Sequence, residues 1–269
     1  MNKTTKLMAR LTSLLVLAVL LPACAHTPQQ PTEQAETAPL RVGVTPVYPP
    51  MLFKKGDTFA GIEVDFAEQL GKALSRPVKF VELPWEQQIP ALLEGKTDII
   101  MSGMSVTEAR RVRIQFTDPY LRAGLGALLR TRDYLKLKEA GNRIPRSHPV
   151  GVKKGTLAEV YVQHEFPSKF IVPIFKSEHA VTELNRNTID GFVGDLPEVV
   201  WLASENEGEL TAVALASTES DLAWGLRRSD TSMVTSVNRI LGGWRKDGTW
   251  DQIIHKWLGN KVTFEEVRP

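Results

Sequence analysis

The alternation of apolar and polar residues predicts a first unit of strands and helices between residues 40 and 101. Short apolar runs at 40–44, 78–81 and 98–101 have the length and composition of buried strands. Between them, residues 62–74 and 85–95 repeat their apolar side chains at the spacing of one helix face. Strands that alternate with helices in this way predict an α/β fold whose sheet is mainly parallel, with helices on its faces.

A second unit of the same kind interrupts the first one. A small and apolar strand at 123–129 leads out of the first unit, and the charged residues 131–148 are expected to form a loop. Strand, glycine-turn and helix signals then recur from 150 to 195, and residues 204–209 are expected to form an exposed loop. The first unit resumes with a strand at 223–226, and two helices with apolar faces close the chain.

This interruption predicts two lobes that are joined by two crossing segments. A chain of 269 residues is too long for one small core and has the right length for two. We expect residues 40–124 and 220–262 to form lobe 1, and residues 125–219 to form lobe 2.

The N-terminus has the pattern of an export signal. Positive residues at 3, 6 and 10 precede an apolar run at 11–21, which is too short to span a bilayer and reads as a signal peptide. The run ends in Leu-Pro-Ala-Cys, which is typical of a bacterial lipobox. We therefore expect a signal peptide at 1–24 and lipid attachment at Cys24; an incidental cysteine in an ordinary signal peptide is the alternative. Residues 25–39 are polar and proline-rich, as in a flexible tether.

The charge of the chain gives no indication of a nucleic-acid partner. Without the three basic residues of the signal peptide, the formal charge falls from +2 to −1. A nucleic-acid-binding surface would need a basic excess in the folded part. Cys24 is the only cysteine, so no disulfide can form within the chain.

The stretch 98–120 has the features of an anion site. A buried strand is followed by the small-residue loop 102–105 and then by a helix start, because Ser105 and Glu108 have the spacing of a capping box. Arg110 lies in the first turns of that helix, where free backbone N–H groups and a guanidinium would together bind a carboxylate. The alternative is a capped surface helix with Arg110 in solvent.

Four segments in the same order resemble the extracellular solute-binding proteins of the polar amino-acid class, which are the soluble components of ABC importers. They are G-I-E-V-D-F-x-x-x-L-G at 61–71, S-G-M-S-V-T-x-x-R with F-T-D-P-Y at 102–120, V-G-V through G-T at 150–156 with Asp195, and D-G-T-W with K-W-L-G at 247–259. The resemblance covers residues 40–262. It implies a two-lobe periplasmic-binding-protein-like fold of type II.

The function that the resemblance implies is extracytoplasmic binding of an amino-acid zwitterion and its delivery to the importer's membrane subunits by closure of the cleft. It further implies a monomer without a cofactor, held in the periplasm or cell envelope by a lipid on Cys24.

The resemblance also implies roles for individual residues. Arg110 would clamp the α-carboxylate of the ligand with help from Ser105, and Asp195 would pair with the α-ammonium together with the carbonyl of Gly103. Trp85 and Tyr48 would enclose the ligand side chain. Ser102, Lys153 and Leu157 complete the expected site. The alternatives are that Asp195 is a helix N-cap before Leu196-Pro197, and that the two aromatic residues belong to the core or the rim.

Some positions depart from the family pattern. Leu157 stands where a threonine often contacts the carboxylate, so only its backbone N–H remains. Thr45 stands where binders of cationic ligands often place an aspartate, and Lys153 is expected near the same pocket. These departures argue against lysine, arginine or ornithine as the ligand. We expect Arg111 and Arg113 to be solvated.

Two other functions fit the same fold. An enzyme similar to cyclohexadienyl or arogenate dehydratase would need a general acid beside the ligand, and Glu86 and Asp195 are the conceivable acids. The sequence has no metal-ligand spacing and no nucleophile–base pair, and its five histidines lie in no motif. A ligand-sensing lobe for a membrane receptor is the other alternative.

Overall fold

The computed structural model describes residues 38–139, 145–215 and 218–259. Over these residues the chain alternates strands and helices. The strands are β1 Leu40–Val44, β2 Val47–Tyr48, β3 Leu52–Lys55, β4 Thr58–Ala60, β5 Val78–Glu82, β6 Ile99–Ile100, β7 Gln115–Phe116, β8 Leu121–Ala123, β9 Leu125–Arg130, β10 Val150–Lys153, β11 Ile171–Ile174, β12 Gly191–Asp195, β13 Leu210–Ala214, β14 Ser220–Leu222 and β15 Gly225–Leu226. The helices are α1 Ile62–Ala73, α2 Gln88–Leu93, α3 Glu108–Arg111, α4 Thr131–Glu139, α5 Leu157–Glu165, α6 Ser177–Asn185, α7 Leu196–Glu205, α8 Thr231–Asp247 and α9 Thr249–Leu258.

Two five-stranded sheets form the centres of two lobes. The first has the order β5-β1-β6-β15-β7, and the second has the order β11-β10-β12-β9-β13. Three adjacent strands in each sheet are parallel, whereas β15 and β9 run antiparallel to their neighbours. Both sheets are therefore mixed. Their parallel strands are those for which the alternation of strands and helices predicted a parallel sheet. This is the predicted two-lobe fold of type II.

The chain passes between the sheets on two paired strands. It leaves the first sheet through β8 and returns through β14, and these two strands form their own antiparallel pair. The residue limits of the lobes stay a prediction, and residues 260–262 lie outside the described part of the chain.

The core of the first sheet is built around aromatic rings. The ring of Phe66 on α1 stacks on Trp244 of α8 at 5.7 Å, and Tyr120 stacks on Trp224 at 5.2 Å. Helix α9 is tied to the same helix α1, because Asp65 accepts hydrogen bonds of 2.7 Å from Lys256 Nζ and from the indole N–H of Trp257. The C-terminal helices thus complete the lobe that the N-terminal strands begin.

The second sheet has a separate core around its fully buried strand β9. Arg130 at the end of β9 is buried, and its guanidinium donates to the carbonyls of Leu184 and Ile189 at 2.7 and 2.9 Å. The carboxylates of Asp133 and Asp190 pair with the same side chain. A buried charge needs such partners to offset its desolvation.

Two local predictions were wrong. Residues 131–139 form helix α4 rather than a loop, since Leu, Lys, Arg and Glu favour a helix even without a continuous apolar face. The strand expected at 223–226 is limited to β15. The backbone N–H groups of Ala223 and Trp224 bond to Met104 O and Thr117 Oγ1 instead of a ladder partner, so the strand begins only at Gly225.

Candidate functional site

A cavity of about 750 Å³ opens where the loops of the two large sheets meet. It lies at the carboxyl ends of β6, β10 and β12, where ligands bind in sheets of this kind. The nine residues that the sequence predicted for ligand binding all line it: Arg110, Asp195, Ser105, Gly103, Trp85, Tyr48, Ser102, Lys153 and Leu157. The volume suits a small molecule.

The helix start before Arg110 is capped differently from the prediction. Thr107, not Ser105, is the N-cap of α3, and its Oγ1 accepts a hydrogen bond from the backbone N–H of Arg110 at 3.3 Å. Thr107 directly precedes the helix with extended backbone angles, which is the geometry that a cap requires. Ser105 instead forms a bridge with Leu222. The capping box at Ser105 was therefore wrong, although Ser105 does line the cavity.

The guanidinium of Arg110 faces the cavity and is not in solvent. It donates to Ser105 O at 2.6 Å and, across the cavity, to Gly155 O at 3.1 Å. It lies 5.2 Å from the ring centroid of Trp85, whose indole N–H donates to the same Gly155 O at 2.9 Å. Burial lowers the pKa of Arg110, and the charge of Asp195 acts in the opposite direction. These contacts hold a desolvated cation against an aromatic face.

Asp195 lies across the cavity from Arg110, at the end of a strand of the second sheet. It ends β12 and occupies the N-cap position of α7, but its side chain caps nothing. Its Oδ2 accepts a hydrogen bond of 2.7 Å from the hydroxyl of Tyr48. Desolvation raises the pKa of Asp195, while the Tyr48 bond and the charges of Lys153 and Arg110 oppose the rise. The carboxylate is thus directed into the cavity rather than used for helix capping.

Gly103 allows Tyr48 to lie against the loop 102–105. Its φ is +65°, and a Cβ at this position would lie 2.3 Å from Cε1 of the Tyr48 ring. The Tyr48 side chain is buried. Both the backbone conformation and the close approach therefore require glycine.

A carboxylate that the sequence reasoning did not single out lies beneath this loop. Glu63 is fully buried and accepts hydrogen bonds from Gly103 N at 2.6 Å, Tyr120 Oη at 2.7 Å and Trp224 Nε1 at 2.8 Å. Burial raises the pKa of Glu63 to about 7, although the three donors act to lower it. The sequence signal that could have identified Glu63 was its position inside the segment 61–71, which carries the family resemblance.

Ser102 and Thr45 are held in a buried network of the first lobe. The backbone N–H of Thr45 donates to Ser102 Oγ at 2.9 Å, and the Thr45 hydroxyl donates to Leu83 O at 2.9 Å. The amide of Gln88 donates to Thr45 Oγ1 at 2.8 Å. The Thr45 side chain is therefore already engaged, and it supplies no carboxylate for a cation.

The loop after β10 forms the second-lobe edge of the cavity. Thr156 is the N-cap of α5, where its Oγ1 accepts from Glu159 N at 3.2 Å. The Glu159 carboxylate in turn accepts from Gly155 N at 2.7 Å, so it bonds to the residue before the N-cap rather than to the cap itself, as it would in a standard capping box. Leu157 is the first residue of the helix and lines the cavity.

An ion pair between Lys153 and Glu198 lies in the wall of the second lobe. Lys153 Nζ contacts Glu198 Oε1 and lies 4.4 Å from the ring centroid of Tyr48. Glu198 is fully buried, and the hydroxyl of Ser177 contacts the same oxygen. Desolvation raises the pKa of Glu198, whereas Lys153 and Ser177 oppose the rise. Sequence reasoning missed Glu198, whose signal was a lone charge within the apolar first turns of α7.

The described residues contain no group of three or more metal-binding side chains placed to hold an ion. Among the same residues, no helix is both long and apolar enough to cross a bilayer. The signal peptide, Cys24 and the tether up to residue 37 lie outside the described part of the chain.

Comparisons with known proteins identify the family of the chain. Residues 40–260 match the model of the bacterial extracellular solute-binding proteins, family 3. The chain is 24% identical over 229 residues to the L-cystine-binding protein TcyJ of Escherichia coli, a match that covers 85% of each chain.

Two solved structures are similar along nearly their whole length. The ancestral amino acid-binding protein AncCDT-1, a precursor of cyclohexadienyl dehydratase, is 32% identical, with a TM-score of 0.75 and coverage of 82% of this chain and 96% of that one. A putative binding component of an ABC transporter from Wolinella succinogenes, complexed with lysine, is 27% identical, with a TM-score of 0.77 and coverage of 84% and 97%. Because the family model spans nearly all of the folded residues, the chain belongs to family 3 of the bacterial extracellular solute-binding proteins.

Proposed function

We propose that this protein binds a small amino-acid zwitterion outside the cytoplasm and delivers it to the membrane subunits of an ABC importer. The observation that carries the proposal is the placement of Arg110 and Asp195 on opposite sides of one cavity, Arg110 on helix α3 of the first lobe and Asp195 at the end of strand β12 in the second sheet. A zwitterion has a carboxylate and an ammonium a few ångströms apart, and these two side chains offer one partner to each. The names of the similar proteins, which include binders of L-cystine and lysine, support the same class of ligand.

In this proposal the ligand bridges the two lobes. Arg110 binds the α-carboxylate, aided by the loop at Ser105 and by the backbone N–H of Leu157. Asp195 and the Gly103 carbonyl bind the α-ammonium, and Trp85 and Tyr48 form walls along the side chain. Several contacts already join the lobes, such as Tyr48 with Asp195 and Trp85 with Gly155. A ligand that binds both sides therefore stabilises the closed cleft.

The test compares complete and incomplete zwitterions. A thermal-shift screen of the purified full chain across the amino acids identifies a ligand, since binding to the folded state raises its stability. Calorimetry then compares that ligand with its α-amide and with its analogue that lacks the α-amino group. The proposal predicts that both analogues bind at least about a hundredfold more weakly, because each leaves one buried charge unpaired. If the α-amide binds as tightly as the ligand, Arg110 does not bind the α-carboxylate. If the analogue without the α-amino group binds as tightly, Asp195 does not bind the α-ammonium.

We further propose that the mature protein is a monomer attached to a membrane of the cell envelope by a lipid on Cys24. The support is the lipobox pattern at the end of the apolar run 11–21, followed by a polar segment that would let the domain move over the membrane surface. Import requires such proximity to the membrane subunits.

One observation favours an enzyme as the second candidate function. Such an enzyme needs an acid beside the ligand, and the fully buried Glu198 lines the cavity with a raised pKa. Glu86, one of the acids considered from the sequence, is exposed and has no comparable burial. A protonated Glu198 would donate its proton to a leaving hydroxyl, which departs as water, while loss of the ring carboxylate of prephenate or arogenate as carbon dioxide supplies the electron pair of the new double bond. Incubation with prephenate or arogenate tests this: product formation that Glu198→Gln abolishes would establish it, and the absence of product would leave binding as the function.

A further inference from the structure

The charged side chains that line the cavity include more cations than carboxylates. The cations are Arg110, Arg113, Lys153, Lys154 and Lys176, and the carboxylates are Glu86, Asp195 and Glu198. The side chain of Lys153 is 14% exposed and that of Glu198 is fully buried, so their interaction takes place away from bulk water. A charge introduced here is screened far less than one at the surface.

Lys153 lies between Glu198 and the site proposed for the ligand. Its ammonium contacts Glu198 Oε1 on one side and the Tyr48 ring on the other, and the Tyr48 hydroxyl bonds to Asp195. If Arg110 and Asp195 bind the two ends of a zwitterion, the Lys153–Glu198 pair remains neutral within itself. The buried wall then offers no unpaired carboxylate to a third ligand charge.

We propose that the Lys153–Glu198 pair is a specificity determinant that restricts the ligand to amino acids without a cationic side chain. This inference rests on the proposed function and names the class of ligand within it. A cationic side chain would lie near the Lys153 ammonium, and the Glu198 carboxylate behind it is already paired with that ammonium. Glu86, which also lines the cavity, is exposed on the first lobe, so its charge is screened by water. Such like-charge juxtaposition is the usual means of rejecting a wrong ligand. The engaged hydroxyl of Thr45 supplies no compensating negative charge on the first lobe.

The first test is a calorimetric panel on the full wild-type chain. The panel contains glutamine, serine, leucine, phenylalanine, glutamate, arginine, lysine and ornithine. We expect the best ligand without a cationic side chain to bind at least about tenfold more tightly than any of the three cationic amino acids. Binding of arginine or lysine within about threefold of that ligand would overturn the inference and leave the proposed function intact. Absence of binding by every amino acid would overturn both.

The second test alters the pair one side at a time. Lys153→Met leaves Glu198 as an unpaired carboxylate, so the affinity for lysine and arginine relative to the best uncharged ligand should rise at least about tenfold. Glu198→Gln leaves Lys153 unpaired, so the relative affinity for glutamate should rise instead. Because each ratio is measured within one variant, a general loss of affinity does not affect it. If Lys153→Met does not fold, Glu198→Gln and the wild-type panel still test whether the ion pair determines specificity.

The matched control is Lys169→Met. Lys169 is exposed, lies just before β11 of the second sheet and is not among the residues that line the cavity, so this variant loses the same formal charge without disturbing the ion pair. We expect it to change the cationic-to-uncharged ratio by less than about twofold, since an exposed charge is screened. A shift as large as that of Lys153→Met would mean that net charge, not the buried pair, sets the selectivity, and would overturn the inference.

Discussion

The hydroxyl of Tyr48 donates a hydrogen bond of 2.7 Å to the Asp195 carboxylate, and this bond joins the two lobes across the cavity. Tyr48 belongs to the first-lobe strand β2, whereas Asp195 ends strand β12 of the second sheet. The bond orients a carboxylate whose pKa is raised by desolvation, and it favours the charged form. One contact thus links closure of the cleft to the ionisation of the group proposed to bind the ligand ammonium.

Tyr48→Phe should therefore weaken ligand binding without unfolding the protein. The loss of a hydrogen bond to a charged group corresponds to about 1.5 to 3 kcal/mol, or roughly ten- to a hundredfold in affinity. Calorimetric titration at neutral pH measures the effect. Tyr161→Phe on α5 is the control, since Tyr161 is not among the residues that line the cavity. Unchanged affinity in Tyr48→Phe would show that the bond to Asp195 does not support binding.

A cluster of three aromatic rings also joins the lobes. Trp201 of α7 lies 6.2 Å from Phe53 of β3 and 6.4 Å from Trp257 of α9, measured between ring centroids. Each such pair contributes about 0.5 to 1.5 kcal/mol beyond its buried area. Trp201→Ala should thus favour an open cleft and increase the radius of gyration of the ligand-free protein in small-angle X-ray scattering.

Saturating ligand should return the Trp201→Ala variant to the compact form. Val160→Ala is the control, because Val160 is an exposed apolar residue on the same lobe. Identical scattering of ligand-free wild type and Trp201→Ala would contradict the role of the cluster in closure.

Glu63 should make the folded protein less stable as the pH rises. Its pKa is raised from 4.5 to about 7, so the folded state keeps a proton that the unfolded state has already lost. The stability that this group contributes is present at low pH and is lost between about 4.5 and 7, with a total change on the order of 3 kcal/mol. The pKa values of Asp195 and Glu198 are also raised, so both carboxylates add to the same trend.

Chemical denaturation of wild type and Glu63→Gln between pH 4.5 and 8 isolates the contribution of Glu63. The variant should be less stable at low pH, because an amide cannot reproduce the pattern of three accepted hydrogen bonds. Its stability should also fall less steeply with pH than that of wild type. Parallel pH profiles for the two proteins would contradict the raised pKa of Glu63.

The anchor is tested by Cys24→Ser. Without a thiol no lipid can be attached, so the chain should remain as an unprocessed precursor or lose its attachment to the membrane. Metabolic labelling with a fatty acid, followed by membrane fractionation, measures both outcomes. A fully processed, lipid-labelled Cys24→Ser protein would exclude the assignment.

The sequence predicted the features that depend on local pattern. Arg110 follows a buried strand and a small-residue loop, and Asp195 ends an apolar run, so both could be placed at strand ends before the structure was known. The capping of α3 was predicted less well, because Ser105 and Thr107 are both suitable caps and only the backbone angles distinguish them. Local composition determines which residues lie near a strand end, but it leaves the cap position open.

The features that sequence reasoning missed depend on contacts between distant segments. Lys153 and Glu198 are 45 residues apart, and their ion pair forms only when β10 pairs with β12, the strand that leads directly into α7. Glu63 meets Tyr120 and Trp224 from positions 57 and 161 residues away. Neither periodicity nor a short motif predicts contacts between residues so far apart in the sequence. The partners of the buried carboxylates can therefore be identified only in the folded structure.

The most direct test of the proposed clamp is calorimetric titration of Arg110→Ala with the amino acid that the screen identifies. We expect a loss of about 3 to 5 kcal/mol, because a desolvated carboxylate is left without its charged partner. Trp85→Ala should lose only about 1.5 to 3 kcal/mol of apolar contact. Arg111→Ala, which removes the exposed neighbouring guanidinium, should bind as wild type does. Binding by Arg110→Ala within about threefold of wild type would contradict the account.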